Sequence, residues 1–249
     1  MARFDNVIIA ADLDGTLFEN HNSIPQANLD IIKYFTDNGG KFVIASGRGI
    51  DAARSVYDLL PTKTPAIVNN GHTLFDYEND SIIKSHPLPT SAKDAVIELY
   101  NNNPTISAEI YSKRAIYVVN PNRVLKNHLD YVGIDYICTC FSDIYALEWN
   151  KALMTDEKQS IDNVRKQAFA KTYEDFEFVD TSELFLEMVG KGISKGTALL
   201  ELADYYGIPH QNTFSIGNYY NDIGLLECAC ESAVVKNTPD DVAKYASYI

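Results

Sequence analysis

The feature that most constrains this chain is an alternation of apolar strands with amphipathic helices, which runs over residues 4–83 and returns over residues 190–249. Strands separated by helices in this way form a parallel sheet with helices on its faces. Residues 84–187 have a different pattern, with strands rich in tyrosine and isoleucine and with longer connections. We therefore predict a doubly wound α/β core, formed by residues 1–83 and 188–249, with an inserted α+β domain of residues 84–187.

The composition restricts the classes of partner. The 249 residues carry 21 Lys and Arg against 34 Asp and Glu, a formal net charge of −13. Nucleic acids and anionic membranes bind to basic surfaces, so we expect neither as a partner and predict a small-molecule ligand, with the oligomeric state left open. The apolar run at residues 7–11 is too short for a signal peptide, and no stretch has the length of a membrane span, which predicts a cytoplasmic protein.

The four cysteines occur as two C-x-C pairs, Cys138 with Cys140 and Cys228 with Cys230. No histidine lies at zinc-site spacing from either pair. We therefore expect all four to be small buried apolar residues rather than metal ligands.

The first predicted strand, residues 7–11, ends in the segment Asp-Leu-Asp-Gly-Thr at residues 12–16. In an extended chain, Asp12 and Asp14 point to the same side, and Gly15 permits a tight turn directly after them. Two neighbouring carboxylates repel each other unless a cation or a shared proton lies between them. The segment therefore predicts a reactive acidic site with a bound divalent metal.

Further polar segments lie next to the ends of other predicted strands or at a helix start. They are residues 46–49 (Ser-Gly-Arg-Gly), 69–71 (Asn-Asn-Gly), 194–196 (Ser-Lys-Gly) and 217–222 (Gly-Asn-Tyr-Tyr-Asn-Asp). Ser194 is predicted to cap the helix that runs to Tyr206. A doubly wound sheet places its binding site at the carboxyl ends of its strands, so we expect these segments to meet there.

Taken in order, residues 12–16, Ser46, Lys195 and residues 217–222 resemble the motifs of the haloacid dehalogenase superfamily. The inserted domain resembles the larger cap of the Cof-type sugar-phosphatase branch, and residues 185–196 are similar to that branch's junction between cap and core. The resemblance covers essentially the whole chain. It implies a Mg²⁺-dependent phosphatase with a Rossmann-like core.

The resemblance also implies roles for single residues. Asp12 is expected to be the nucleophile that forms an aspartyl-phosphate, and Asp14 the general acid and base. Lys195 is expected to stabilise the charge of the transition state from a helix N-terminus. The expected substrate-binding residues are Ser46, Gly47, Arg48, Asn70 and Asn221.

The expected Mg²⁺ ligands are Asp12, the backbone carbonyl of Asp14, Asn218 and Asp222. The superfamily usually has a carboxylate where this chain has Asn218, and a neutral amide holds Mg²⁺ more weakly. The change either eases the entry of an anionic phosphate or marks a weakened enzyme, and the sequence leaves both open.

The leading prediction is a phosphatase that hydrolyses a small phosphorylated metabolite, with a sugar phosphate as the favoured class. Asn218 raises a first alternative, a catalytically weakened protein that binds a phosphate ligand. A second alternative is a phosphosugar mutase, because similar caps occur among mutases.

Overall fold

The computed structural model describes residues 2–18, 23–132 and 134–249. The chain divides into two compact units. The first unit comprises the residues up to Ser85 together with Gly192–Ile249, and the second unit comprises His86–Lys191.

The strands are, in chain order, β1 (Ile8–Ala11), β2 (Lys41–Ile44), β3 (Ala66–Val68), β4 (Thr73–Asp76), β5 (Ser81–Ser85), β6 (Ser107–Ser112), β7 (Ala115–Val119), β8 (Ile137–Thr139), β9 (Lys151–Thr155), β10 (Phe176–Ser182), β11 (Phe185–Gly190), β12 (Thr213–Gly217) and β13 (Glu231–Val234). The α-helices are α1 (Gln26–Asp37), α2 (Ile50–Tyr57), α3 (Thr90–Asn102), α4 (Arg123–Val132), α5 (Phe141–Ile144), α6 (Lys158–Phe169), α7 (Lys195–Tyr206), α8 (Ile223–Cys228) and α9 (Asp240–Ala243).

The first unit is built on a parallel sheet with the strand order β13-β12-β1-β2. Successive residues of β1 face opposite sides of this sheet. Ile8 and Ala10 belong to the apolar cluster under α7 and α8, whereas Ile9 and Ala11 pack into the cluster formed with α1 and α2. Because both faces are covered by helices, β1 is entirely apolar, with the sequence Ile-Ile-Ala-Ala. The predicted doubly wound α/β core is confirmed.

A second, smaller sheet in the first unit was not predicted. Strand β3 pairs antiparallel with β4, and β4 pairs antiparallel with β5. A single bridge between Ala45 and Ile67 connects β3 to the end of β2. The predicted division after residue 83 would cut through β5, whereas the observed unit keeps β5 with its partner β4 and ends at Ser85.

The second unit contains a six-stranded sheet with the order β10-β11-β9-β6-β7-β8, in which only the β7–β8 pair is parallel. Helices α3 and α6 pack on one face, and α4 packs on the other through Leu125 and Leu129. The predicted additional α+β region is confirmed. The predicted division before residue 188 falls inside β11. The observed second unit keeps the whole of β11 and ends at Lys191.

The prediction of buried cysteines is wrong. Cys138, Cys140 and Cys230 are exposed, and Cys228 is half-buried. Cys138 lies on β8, which is an edge strand, and Cys230 lies in the turn between α8 and β13, so neither is in an apolar layer. Over the same described ranges, no helix has the length and apolar character needed to cross a membrane.

Candidate active site

Asp12 is the first residue after β1 and is only 5% exposed. Its backbone N–H donates to the carbonyl of Ile216 at 2.9 Å, which continues the β1–β12 pairing by one residue. The extended geometry ends there, because residues 13–17 form a tight turn in which Gly15 has φ +83°. The side-chain alternation expected of an extended strand therefore does not hold from Asp12 to Asp14, and their side chains bind different cations.

Lys195 supplies the cation at Asp12. It is the first residue of α7, and its side chain is fully buried. Its Nζ donates to Oδ1 of Asp12 and to Oδ1 of Asp222, each at 2.7 Å, so the two carboxylate oxygens lie within twice that distance of each other. The predicted helix cap is confirmed, since Oγ of Ser194 accepts from the N–H of Thr197 and holds the start of α7 in place.

The burial of this cluster changes its acidity. Burial raises the pKa of Asp12 to about 6, because the loss of solvent outweighs the opposing effect of the Lys195 charge, and Asp222 raises it further. Burial by itself lowers the pKa of Lys195, but the charges of Asp12 and Asp222 outweigh burial and raise it. With both carboxylates ionised, the three side chains carry one net negative charge, which favours a further cation.

Asp222 is fixed by the turn that follows β12. Its side chain is fully buried, and Oδ2 accepts from the N–H groups of Asn218 at 2.8 Å and Tyr219 at 3.2 Å. The Asn218 side chain lies directly over Gly15, where an added Cβ would approach Nδ2 to 2.3 Å. The positive φ of residue 15 is what requires a glycine there, and an added Cβ would also displace the Asn218 side chain.

Ser46, Gly47, Asn70 and Asn221 meet beside β2 and β3. Oγ of Ser46, a buried side chain, accepts from the N–H of Arg48 at 3.1 Å, and the Ser46 carbonyl accepts from the N–H of Asn70 at 3.0 Å. Nδ2 of Asn221 donates to Oδ1 of Asn70 at 3.2 Å. The Gly47 backbone passes so close that an added Cβ would lie 3.0 Å from Oδ1 of Asn70.

The segment from Asn69 to Gly71 has positive φ at three successive residues, +51°, +54° and +99°. Positive φ is uncommon for residues other than glycine, and asparagine adopts it more readily than most, because its short polar side chain can form local hydrogen bonds. Gly71 packs against the backbone of Ser194, whose carbonyl oxygen would be 2.2 Å from an added Cβ. The segment therefore packs the end of β3 against the start of α7. Its turn-forming residues are the only signal of it in the sequence.

Arg48 forms an ion pair with Asp14, a contact that the sequence does not predict. Nε of Arg48 donates to Oδ2 of Asp14 at 2.9 Å, and Nη2 donates to Oδ1 at 2.6 Å. The guanidinium carbon lies 5.3 Å from the centre of the Phe18 ring. The two residues are 34 positions apart, and no local pattern relates them.

The oxygen donors at this site fit Mg²⁺. Asp12 and Asp222 offer two buried carboxylates, Asn218 offers an amide oxygen, and no described residue donates a hydrogen bond to Oδ2 of Asp12. Mg²⁺ takes one or two carboxylates and completes its shell with water and phosphate oxygens. A metal site built from three or more His, Cys, Asp or Glu side chains is a different arrangement, and the part of the chain that the structure describes contains none. An acid in place of Asn218 would add a third carboxylate beside Asp12 and Asp222.

Comparisons with known proteins place the chain among phosphatases. It is 22% identical over 253 residues to the pyridoxal phosphate phosphatase YbhA of Escherichia coli K12, covering 97% of this chain and 92% of that protein. It is 25% identical over 245 residues to the 5-amino-6-(5-phospho-D-ribitylamino)uracil phosphatase YcsE of Bacillus subtilis 168, covering 98% and 90%.

Solved structures share the fold. A haloacid dehalogenase-like hydrolase from Bacteroides thetaiotaomicron superposes with a TM-score of 0.84 at 22% identity, covering 99% of this chain and 94% of that one. A sugar phosphatase of subclass IIB of the same superfamily superposes with a TM-score of 0.82 at 21% identity, covering 97% and 92%.

The family model for haloacid dehalogenase-like hydrolases matches residues 9–249, which include every segment that forms the site. The resemblance noted in the sequence is thereby confirmed, and so is the assignment to an enzyme class. This chain belongs to the haloacid dehalogenase-like hydrolase family.

Proposed function

We propose that this protein is a Mg²⁺-dependent phosphatase that hydrolyses a small phosphorylated metabolite through an aspartyl-phosphate at Asp12. The observation that carries the proposal is the buried cluster of Asp12, Lys195 and Asp222, with both Lys195 contacts at 2.7 Å. A nucleophilic carboxylate needs a fixed position and nearby positive charge, and this cluster supplies both.

Asp12 is the attacking group. Lys195 holds the Asp12 carboxylate through Oδ1 at 2.7 Å, so that one carboxylate oxygen attacks phosphorus and the other is left for the metal. As the new O–P bond forms, the bond from phosphorus to the substrate's alcohol oxygen breaks. Asp14, which takes up a proton from solvent or from the monoanionic ester as the substrate binds, gives that proton to the leaving oxygen. Asp14 then takes a proton from water, whose oxygen attacks phosphorus and releases inorganic phosphate and the carboxylate of Asp12.

Lys195 and the residues around Ser46 stabilise the transferring group. Phosphoryl transfer depends on positioning and on charge stabilisation rather than on covalent assistance. The Lys195 ammonium is fully buried, so its charge acts through a weakly polar medium. The hydroxyl of Ser46 offers a hydrogen bond to a phosphoryl oxygen, and the N–H of Arg48 orients that hydroxyl. Asn70 and Asn221 hold this loop.

Asp12, Asp222, Asn218 and the carbonyl of Asp14 would hold the metal. When bound, Mg²⁺ neutralises charge on the phosphoryl oxygens and on the two buried carboxylates. The substrate class is proposed from the relatives, whose names describe the phosphates of a pyridoxal and of a ribityl chain, and from the sugar phosphatase of the same fold. We favour a sugar phosphate or a related small alcohol phosphate.

The test is a phosphate-release screen over a panel of small phosphate monoesters, with and without Mg²⁺, on the wild-type protein and on Asp12→Asn. Asparagine keeps the shape of the side chain and removes the nucleophile. We expect Mg²⁺-dependent release by the wild type and none by the variant. Equal release by both proteins contradicts the role of Asp12.

Two other outcomes identify the alternatives. Tight binding of phosphate esters without turnover supports the weakened binding protein that Asn218 suggests. Formation of an isomeric phosphosugar with little free phosphate supports the mutase.

A further inference from the structure

The two cations near Asp12 and Asp14 differ in how firmly they are held. The Lys195 side chain is fully buried between carboxylates that are 7% and 0% exposed. The side chains of Arg48 and Asp14 are 27% and 52% exposed. An ion pair that water can reach contributes little to stability and separates easily, whereas a buried pair does not. Arg48 is therefore the cation in this site that can change its partner.

The geometry of the Arg48 pair is one that a phosphate can reproduce. The guanidinium binds Asp14 in a fork, through Nε and Nη2, and phosphate accepts the same parallel pair of hydrogen bonds. A phosphate monoester carries up to two negative charges against the single charge of a carboxylate. A phosphate that enters beside Ser46 therefore competes effectively with the Asp14 carboxylate for the guanidinium.

The position of Arg48 keeps it at the site during such an exchange. Its N–H donates to Oγ of Ser46, and its guanidinium carbon lies over the ring of Phe18, which is buried. The backbone hydrogen bond fixes the start of the Arg48 side chain, and the ring of Phe18 supports the guanidinium from one side. Only the hydrogen bonds at its tip need to change.

We infer that Arg48 exchanges partners: it holds Asp14 when the site contains no anion, and it binds the phosphoryl group when a phosphate monoester or inorganic phosphate enters. The exchange releases the carboxylate of Asp14 at the moment when the substrate arrives. The inference rests on the proposed function, because it takes the phosphoryl group of that reaction as the competing anion.

The test is a double-mutant cycle that measures the affinity for inorganic phosphate by calorimetry at fixed Mg²⁺ and pH. The proteins are wild type, Asp14→Asn, Arg48→Met and the double variant. If Asp14 competes for Arg48, Asp14→Asn tightens phosphate binding at least threefold more in the presence of Arg48 than in the Arg48→Met background. Arg48→Met alone weakens binding by roughly tenfold or more.

An equal effect of Asp14→Asn in both backgrounds overturns the inference, because it reports only the removal of a negative charge. Absence of phosphate binding to the wild type also overturns it. Arg48→Lys serves as a second variant that keeps the charge and removes the fork, and it is expected to retain part of the affinity but not the coupling.

The chain offers a matched control in Arg54. It pairs with Asp58 with side chains 44% and 51% exposed, and its guanidinium carbon lies 5.5 Å from the centre of the Tyr77 ring. Arg54→Met removes a similar pair from α2, and we expect it to leave the phosphate affinity unchanged. A loss equal to that of Arg48→Met contradicts a specific role for Arg48.

Hydrolysis by the wild type is measured in parallel to separate this inference from the proposed function. Coupling in the binding cycle without hydrolysis of any ester overturns the proposed function and supports the exchange. Hydrolysis without coupling overturns the exchange and leaves the proposed function in place.

Discussion

Replacing Lys195 by methionine should destabilise the protein more than any surface substitution. Methionine keeps most of the volume and removes the charge that Asp12 and Asp222 share at 2.7 Å each. Breaking a buried ion pair by removing one partner costs about 3–5 kcal/mol, because the remaining charges stay buried without compensation. For a chain of this size about 3 °C of melting temperature corresponds to each kcal/mol, so we expect a loss of roughly 10 °C.

The control is Lys33→Met on α1, where the lysine pairs with Asp37 and both side chains are more than half exposed. An exposed pair contributes about 0–1 kcal/mol, so this variant should melt within a few degrees of the wild type. Thermal and urea denaturation of the three proteins measure the difference. Equal stability of the two variants refutes the reasoning, because it means that the Lys195 cluster is not charged and buried as described.

The same variant predicts two further responses. Without Lys195, the buried carboxylates bind protons more readily in the folded state, so the stability deficit should be smaller at pH 5 than at pH 8. Mg²⁺ can supply the missing positive charge, so it should raise the melting temperature of Lys195→Met more than that of the wild type. A deficit that does not depend on pH argues against charge repulsion as its cause.

The remaining predictions concern three acidic or amide positions. Asp14→Asn should slow the hydrolysis of an alkyl phosphate by roughly 10²-fold or more, and that of an activated aryl phosphate much less, because only the poorer leaving group needs a proton. Equal losses for both substrates argue against Asp14 as the acid. Asn218→Asp should lower the half-saturating Mg²⁺ concentration by roughly tenfold or more. Even in water, two unit charges about 4 Å apart interact by about 1 kcal/mol, and a carboxylate and a divalent cation by twice that. An unchanged Mg²⁺ titration means that Asn218 is not a ligand. Glu109→Gln should stabilise the protein more at pH 8 than at pH 5. Glu109 is fully buried, and burial raises its pKa against the opposing effects of Tyr111 and Lys151, so its contribution to stability is lost as the pH rises through that value. A gain from Glu109→Gln that is the same at both pH values would contradict this explanation.

Much of the site could be predicted because its residues follow strands. Asp12 and Ser46 come after short apolar runs that the sequence marks clearly, and a parallel sheet brings the ends of such runs together. Lys195 follows a serine cap, which is a local signal. These positions depend on periodicity and on capping, which operate over a few residues and can be read from one sequence.

The contacts between loops could not be predicted in the same way. The pairs of Arg48 with Asp14 and of Asn221 with Asn70 join residues 34 and 151 positions apart. Side-chain direction in these loops depends on backbone angles such as the positive φ of Asn70, which the residue type permits but does not require.

Helix α4 was missed although a local signal was present. Oδ1 of Asn122 accepts from the N–H of Leu125, which is the bond of a helix cap, and Leu125 and Leu129 lie four residues apart on the buried face.

The predicted division of the chain falls inside β5 and β11 because the change in composition does not coincide with the ends of these strands. Strand pairing, which the sequence does not display, decides to which unit each strand belongs.

The proposed mechanism requires Asp12 to receive the phosphoryl group. The most direct measurement stops the reaction in acid during turnover of a substrate from the screen, reduces any acyl phosphate with borohydride, and analyses the peptides by mass spectrometry. We expect residue 12 to be recovered as homoserine, the reduction product of an aspartyl-phosphate, and every other aspartate to be unchanged. Turnover in the same sample with residue 12 unmodified and another residue reduced would contradict it.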